Sequence, residues 1–190
     1  TAFIEANNQN LATRKTSGVD LGANYGMKLG GLGNLGFSFL GTYLREFETI
    51  DLPGEAAYDC KGYYGPTCGT PLPEWRHKAR VTWTTPWALD LALTWRHIDS
   101  VDIDRTSSHP SLTGAVNAVD RTLDARDYLD ISGSYNLTKN LTLSGGINNL
   151  LDRDPPISSQ VGSGFGNGNT YPQVYDANGR KIFVGLTAKF

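Results

Sequence analysis

Hydrophobic and polar residues alternate with a period of two along most of this chain. In the last dozen positions, Ile182, Val184, Leu186, Ala188 and Phe190 fall on one face, and Lys181, Phe183, Gly185, Thr187 and Lys189 on the other. Such alternation predicts a strand with one apolar wall and one wetter wall. The same pattern sets Val19, Leu21, Ala23, Tyr25 and Met27 against Asp20, Asn24 and Lys28 within 17–29. After a GGLGN turn, Leu35, Phe37, Phe39, Gly41 and Tyr43 resume it to about Glu48, with Leu40 and Leu44 as apolar exceptions on the polar side. From Glu74 to about Thr85, Trp75, Ala79, Val81 and Trp83 oppose Arg76, Lys78, Arg80, Thr82 and Thr84. Leu89, Leu91, Leu93 and Trp95 then oppose Asp90, Thr94 and Arg96. Leu129, Ile131, Gly133 and Tyr135 oppose Asp130, Ser132, Ser134 and Asn136, and Leu141, Leu143, Gly145 and Ile147 oppose Thr142, Ser144 and Asn148. The prediction is an all-β, antiparallel protein of seven strands.

The connections alternate in length. Short ones fall at 30–34, 86–88 and 138–140, and long ones at 51–73, 99–125 and 151–178. Long structureless loops are uncommon in compact soluble domains, whereas short periplasmic turns and long extracellular loops are the layout of outer-membrane β-barrels. Trp75 and Trp83 lie eight residues apart, roughly 19 Å along the membrane normal for a strand tilted near 45°. That suits aromatic rings at the borders of an apolar band. On this reading the apolar wall meets lipid, and Phe190 serves as a C-terminal barrel-assembly signal. Leu91→Arg should then impair assembly, and Thr94→Arg on the lumen side should be far better tolerated. Seven strands cannot close, because single-chain bacterial barrels have an even count of at least eight. The chain is therefore expected to be the last third of a larger barrel, with an ascending strand before Thr1. The alternative is a soluble antiparallel sandwich with its aromatics inside.

Composition changes this picture little. The mean hydropathy of -0.34 looks soluble, but only alternate residues of a barrel strand touch lipid. No apolar run approaches the roughly 18 residues a spanning helix needs. The net charge of -2 and dispersed basic residues argue against nucleic acid. No secretory signal opens the chain. Gly31 to Gly36 spell GxGxxG, yet the following residues alternate with period two, so the glycines serve a hairpin rather than a nucleotide. His77, His97 and His109 lack metal-ligand spacing, and no Ser-His-Asp set is suggested. Asp152 and Asp154 fit an Asp-rich turn before Pro155 more simply than a calcium site. No enzyme activity, cofactor or metal is expected.

Several blocks resemble the C-terminal region of the TonB-dependent outer-membrane receptors. The strongest are TYPQVYDANGRKIFVGLTAKF (170–190) and GGINNLLDRDPP (145–156). NQNLATRKTSGVDLGANY (8–25) and the cysteine loop leading into EWRHKARVTW (74–83) are weaker. The resemblance implies a barrel of about 22 strands in a Gram-negative outer membrane, plugged by an N-terminal domain. Such receptors take up ferric siderophores, haem, cobalamin or oligosaccharides, using energy from the TonB complex. Residues 1–190 would be the C-terminal part of the barrel domain, without plug or TonB box. In an exported protein Cys60 and Cys68 favour a disulfide, with a contribution of about 2–3 kcal/mol; half of a metal site is the alternative. Arg76, Lys78, Arg80 and Arg96 share the lumen side, where they could attract an anionic chelate or contact the plug, or form a merely solvated wall. Tyr63, Tyr64 and the 171–175 region could offer aromatic loop surface to a ligand. The rival functions are a passive outer-membrane channel and a soluble β-rich binding module.

Overall fold

The structure, a computed structural model, describes residues 12–161 and 167–190. In chain order the strands are β1 (Thr13–Lys28), β2 (Asn34–Ile50), β3 (Tyr58–Asp59), β4 (Tyr63–Tyr64), β5 (Trp75–Thr84), β6 (Leu89–Ile98), β7 (Val101–Ile103), β8 (Thr122–Leu123), β9 (Arg126–Thr138), β10 (Leu141–Asn148) and β11 (Lys181–Ala188). Seven of them form one antiparallel wall in the order β1-β2-β5-β6-β9-β10-β11, with β3 attached to β2. These are the seven segments expected from the alternation. The wall does not close, and β1 and β11 each have a neighbour on one side only.

Register turns seven separate patterns into one surface. Tyr25 lies opposite Phe37, Phe37 opposite Val81, Val81 opposite Leu93, Leu93 opposite Ile131, Ile131 opposite Ile147, and Ile147 opposite Ile182. Directly opposed residues project to the same side, so an unbroken apolar row crosses the whole sheet. A slip of one residue in any strand would carry its apolar set to the other face. Leu40 does face inward, opposite Gly22 and Lys78.

The first hairpin is longer than expected. β1 and β2 have 16 and 17 residues, against about 9–11 for a tilted membrane strand. The register shifts at Ser17/Gly18, and beyond that point Lys15 pairs with Glu46 at 2.8 Å and Glu48 at 3.6 Å. Ion pairs of this kind belong in water. At the other end the GxGxxG glycines make the turn: Gly30–Leu32 is a short 3-10 turn, and Gly33 has φ of 95°. A Cβ there would stand 2.1 Å from the Thr84 carbonyl oxygen. Gly33→Ala should cost about 1–3 kcal/mol, read as a lower folded fraction of the full-length protein on semi-native gels.

The long connections are not structureless. β4 from the first long connection, and β7 and β8 from the two ends of the second, form a second small sheet in the order β4-β7-β8. Tyr64, Val101, Ile103, Leu123, Tyr171 and Tyr175 make its core. Tyr58, Cys60 and Leu112 form a second cluster against Phe47, Cys68 and Leu72. No loop alone has enough apolar surface to offset its ordering entropy, but the three loops pooled do. The result is a folded cap at the long-loop end of the wall.

Candidate solute-binding wall and loop cap

The inner face of the wall has two zones. One row reads Gly26, Gly36, Thr82, Ala92, Ser132 and Gly146, ending at Phe183. Toward the cap the row is Gly22, Leu40, Lys78, Arg96 and Tyr128, and beyond it Asp20, Thr42, Arg76, Ile98 and Arg126. Small residues therefore line the short-turn half, and mostly larger ones, with Arg76, Lys78, Arg96 and Arg126 among them, the half beneath the cap.

The structure brings Lys78 and Arg96 together, directly opposed on β5 and β6, with Arg80 and Thr94 as the next pair. Arg96 is saturated. Its Nε donates to Asp130 Oδ2 at 2.8 Å and its Nη2 to Asp130 Oδ1 at 3.0 Å. Nη1 donates to Asp176 Oδ1 at 3.0 Å, Nη2 also reaches Asp176, and the guanidinium lies over the Tyr128 ring. A cleft of about 760 Å³ opens beside it, lined by Lys78, Arg96, Asp130, Asn148, Asp176 and Lys181 among others. Arg80 donates to the hydroxyls of Thr94 and Thr82 at 3.2 and 3.4 Å. Arg76 stands apart, in a recess of about 390 Å³ with Asp20, Thr42 and Leu44 under the Pro71–Pro73 segment. Among the described residues, Arg76, Lys78, Arg80 and Lys181 have no carboxylate within ion-pair distance.

The loop tyrosines need correction. Tyr64 is fully buried, its hydroxyl donating to the Asp120 carbonyl and its ring edge-on to Tyr171 at 5.8 Å. Tyr171 and Tyr175 are buried as well. Burial pushes all three hydroxyls above the ordinary phenol value, so they stay neutral phenols in the cap core and offer no surface to a ligand. Tyr63 alone remains half-exposed. The physical reason is scarcity: the loops hold few large apolar side chains, and the cap needs these rings inside.

Two carboxylates organise the cap, and the sequence reading singled out neither. Asp120 accepts from the Ser159 amide at 2.7 Å, the Ser159 hydroxyl at 2.6 Å, Gln160 Nε2 at 3.1 Å and the Ser158 hydroxyl at 3.1 Å. Burial alone would raise its pKa, but these donors outweigh burial and hold it at about 2. Asp104 Oδ2 accepts from the Thr67 and Cys68 amides at 2.8 and 2.9 Å. That docks the Cys60–Cys68 disulfide, which is formed. Aspartates isolated in long loops carry no local signal of such roles, since their donors lie 36 to 40 residues away.

His77 and His97, which looked scattered, are opposed on the outer face with rings 5.2 Å apart. His97 faces Asp127 at 2.8 Å and Asp99 at 2.9 Å, and Trp75 Nε1 donates to His77 Nδ1 at 2.9 Å. His109 lies in the cap beside Tyr58. Among the described residues no group of three or more metal-binding side chains converges. Phe190 lies beyond the end of β11 and is exposed, at the short-turn end where the Lys189 amide donates to the Asn140 carbonyl.

An antiparallel wall with one apolar face, a more polar inner face that carries several cations and a disulfide-braced loop cap defines a piece of an outer-membrane-type barrel. The family model for the TonB dependent receptor-like β-barrel matches residues 2–150, and the chain belongs to that family. A mutant of the ferric enterobactin receptor from Pseudomonas aeruginosa superposes on 92% of this chain with a TM-score of 0.58 and 16% identity. The chain spans 22% of the length of that receptor. A second mutant of it, crystallised with enterobactin, aligns over 93% of this chain and 32% of its own, with a TM-score of 0.48 and 16% identity. Likeness at this identity shows the fold alone. No curated protein sequence matches the chain.

Proposed function

We propose that this chain forms wall and loop cap of a receptor that captures a small anionic solute at the surface of a Gram-negative outer membrane. The remainder of the barrel, an N-terminal plug and the TonB complex would complete an actively driven uptake system. Membership of a family of receptors and transporters supports the class. The single observation that favours an anionic cargo is that Arg76, Lys78 and Arg80, at alternate positions of β5 on the inner face, have no carboxylate partner among the described residues. A ferric chelate is the first solute to test, given the fold shared with a ferric enterobactin receptor. Such a chelate would meet Lys78 and Arg80 on the inner wall, with Tyr63 at the cap, while Arg96 is committed to its two aspartates. Phe190, at the short-turn end, would serve as the assembly signal.

In cells expressing the full-length receptor, Lys78→Ala combined with Arg80→Ala should lower the rate of ferric-chelate uptake about tenfold. Loss of one or two charge-assisted contacts of about 1.5–3 kcal/mol supports that magnitude. Uptake should also vanish when TonB is deleted. Uptake that persists without TonB would instead make the protein a passive channel. Unchanged uptake in the double variant would remove the cationic wall from solute capture.

A further inference from the structure

The guanidinium of Arg96 holds more negative charge than it needs. Asp130, on the neighbouring strand β9, already grips it through two parallel hydrogen bonds of 2.8 and 3.0 Å, the geometry that pairs a carboxylate with arginine most strongly. Asp130 is itself fixed in the wall, because its Oδ1 also accepts from the Asn149 amide at 2.9 Å. The second carboxylate comes from Asp176, 80 residues along the chain. It is carried on a strap that crosses from the cap core to β11.

The strap's polar hold on the wall is slight. Between Tyr171 and Gly179 its backbone bonds are local turns: Val174 and Tyr175 amides to the Tyr171 carbonyl, Ala177 to Tyr175, and Gly179 to Asp176. Its polar ties to the wall are the Asp176 carboxylate on Arg96 and the Asp176 amide donating to Tyr128 Oη at 3.3 Å. At its far end Gly179 has φ of 64°, and the next amide, Arg180, is capped by Asp152 Oδ1 at 2.9 Å. Tyr171 and Tyr175 are buried in the cap core with Val174 packed against it, so the part of the strap held only by these ties is 176–179. The Asp176 carboxylate faces the cleft that Lys78 and Lys181 also line.

We propose that Asp176 is an internal surrogate for the solute's anionic group: it occupies Arg96 until an entering anion takes its place, and the 176–179 segment then leaves the wall. This rests on the anionic-solute reading above. An entering anion first meets Lys78 and Lys181, which have no carboxylate partner among the described residues. It then exchanges with Asp176 on the Nη1 side of Arg96 while Asp130 keeps the other edge. Arg96 is never left uncompensated during the exchange, which avoids the heavy cost of a partly buried lone charge. Occupancy of the cleft is thereby converted into release of 176–179, while Tyr171 and Tyr175 keep the rest of the strap in the cap core.

Two readings on the full-length receptor in detergent test this. Hydrogen exchange of the 176–179 amides should rise at least tenfold in Asp176→Asn, with the amides of 101–103, 122–123 and 174–175 unchanged, and Asp176→Glu should restore most of the protection. Citrate, a tricarboxylate probe, should deprotect the same amides in the wild type and bind Asp176→Asn at least threefold more tightly. Unchanged exchange in Asp176→Asn overturns the proposal whatever citrate does. If citrate binds while the strap stays protected, displacement is wrong and the anionic reading survives. If the strap loosens in Asp176→Asn but citrate binds neither protein, displacement falls together with the anionic reading.

Discussion

Leu93→Arg is expected to block assembly of the full-length receptor. Leu93 stands in the apolar row between Val81 and Ile131, and its side chain is exposed on the outer face. A cation near mid-bilayer on that face costs about 2–4 kcal/mol, a large part of the 5–15 kcal/mol that holds a typical domain together. The readout is the fraction that becomes heat-modifiable and detergent-resistant in outer-membrane preparations. Leu91→Arg, one row nearer the short turns beside Trp83, should follow the same trend with a smaller loss. The matching inner-face control is Asn24→Arg, because Asn24 is exposed on the lumen side opposite Ser38. Thr94, which alternation alone offers as that control, is unsuitable. It is 3% exposed, and its hydroxyl receives a hydrogen bond from Arg80, so an arginine there would meet both a filled site and a like charge. Equal assembly of the Leu93→Arg and Asn24→Arg proteins would reverse the assignment of faces.

Asp120→Asn should unlock the cap without disturbing the wall. Four donors converge on this buried carboxylate from Ser158, Ser159 and Gln160, and an amide can accept through one oxygen only. Hydrogen bonds to a charged group contribute about 1.5–3 kcal/mol each, and a buried donor left unsatisfied costs about 1–3 kcal/mol. A loss of about 3 kcal/mol of local stability is therefore expected. It would appear as faster proteolysis and hydrogen exchange around 118–123 and 156–160, with β5 and β6 unaffected. The same carboxylate gives the cap a pH dependence. Its folded-state pKa of about 2 lies below the ordinary 3.8, so its contribution is full above about 4 and is lost as pH falls toward 2. Wild-type exchange in the cap should rise across that window. The asparagine variant should show a high rate that this carboxylate no longer modulates.

Much of the wall was readable from local pattern. A period of two in seven segments, and glycines at the short turns, place every long strand within a few residues of its observed ends. The face of each residue follows from parity, and Leu40 keeps its inward place although apolar. The extension of β1 and β2 past the membrane was not readable, because Lys15, Glu46 and Glu48 gain their meaning only from pairing with each other. The cap was read least well. Tyr64 and the 171–175 tyrosines look like ligand surface in a list of loop residues, yet they are the hydrophobic centre of that cap.

The sequence by itself determined the strands, their two unlike faces and the hairpin turns. Those features depend on neighbours within a few residues, and local sterics and alternation suffice to specify them. Tertiary structure alone decided that Arg96 is shared by Asp130 and Asp176, that Asp104 and Asp120 hold the loops, and that Lys78 and Arg80 have no carboxylate partner among the described residues. Coulombic and hydrogen-bonding partners depend on distance in space. Residues 34 to 80 positions apart become neighbours only after register and loop packing have been settled.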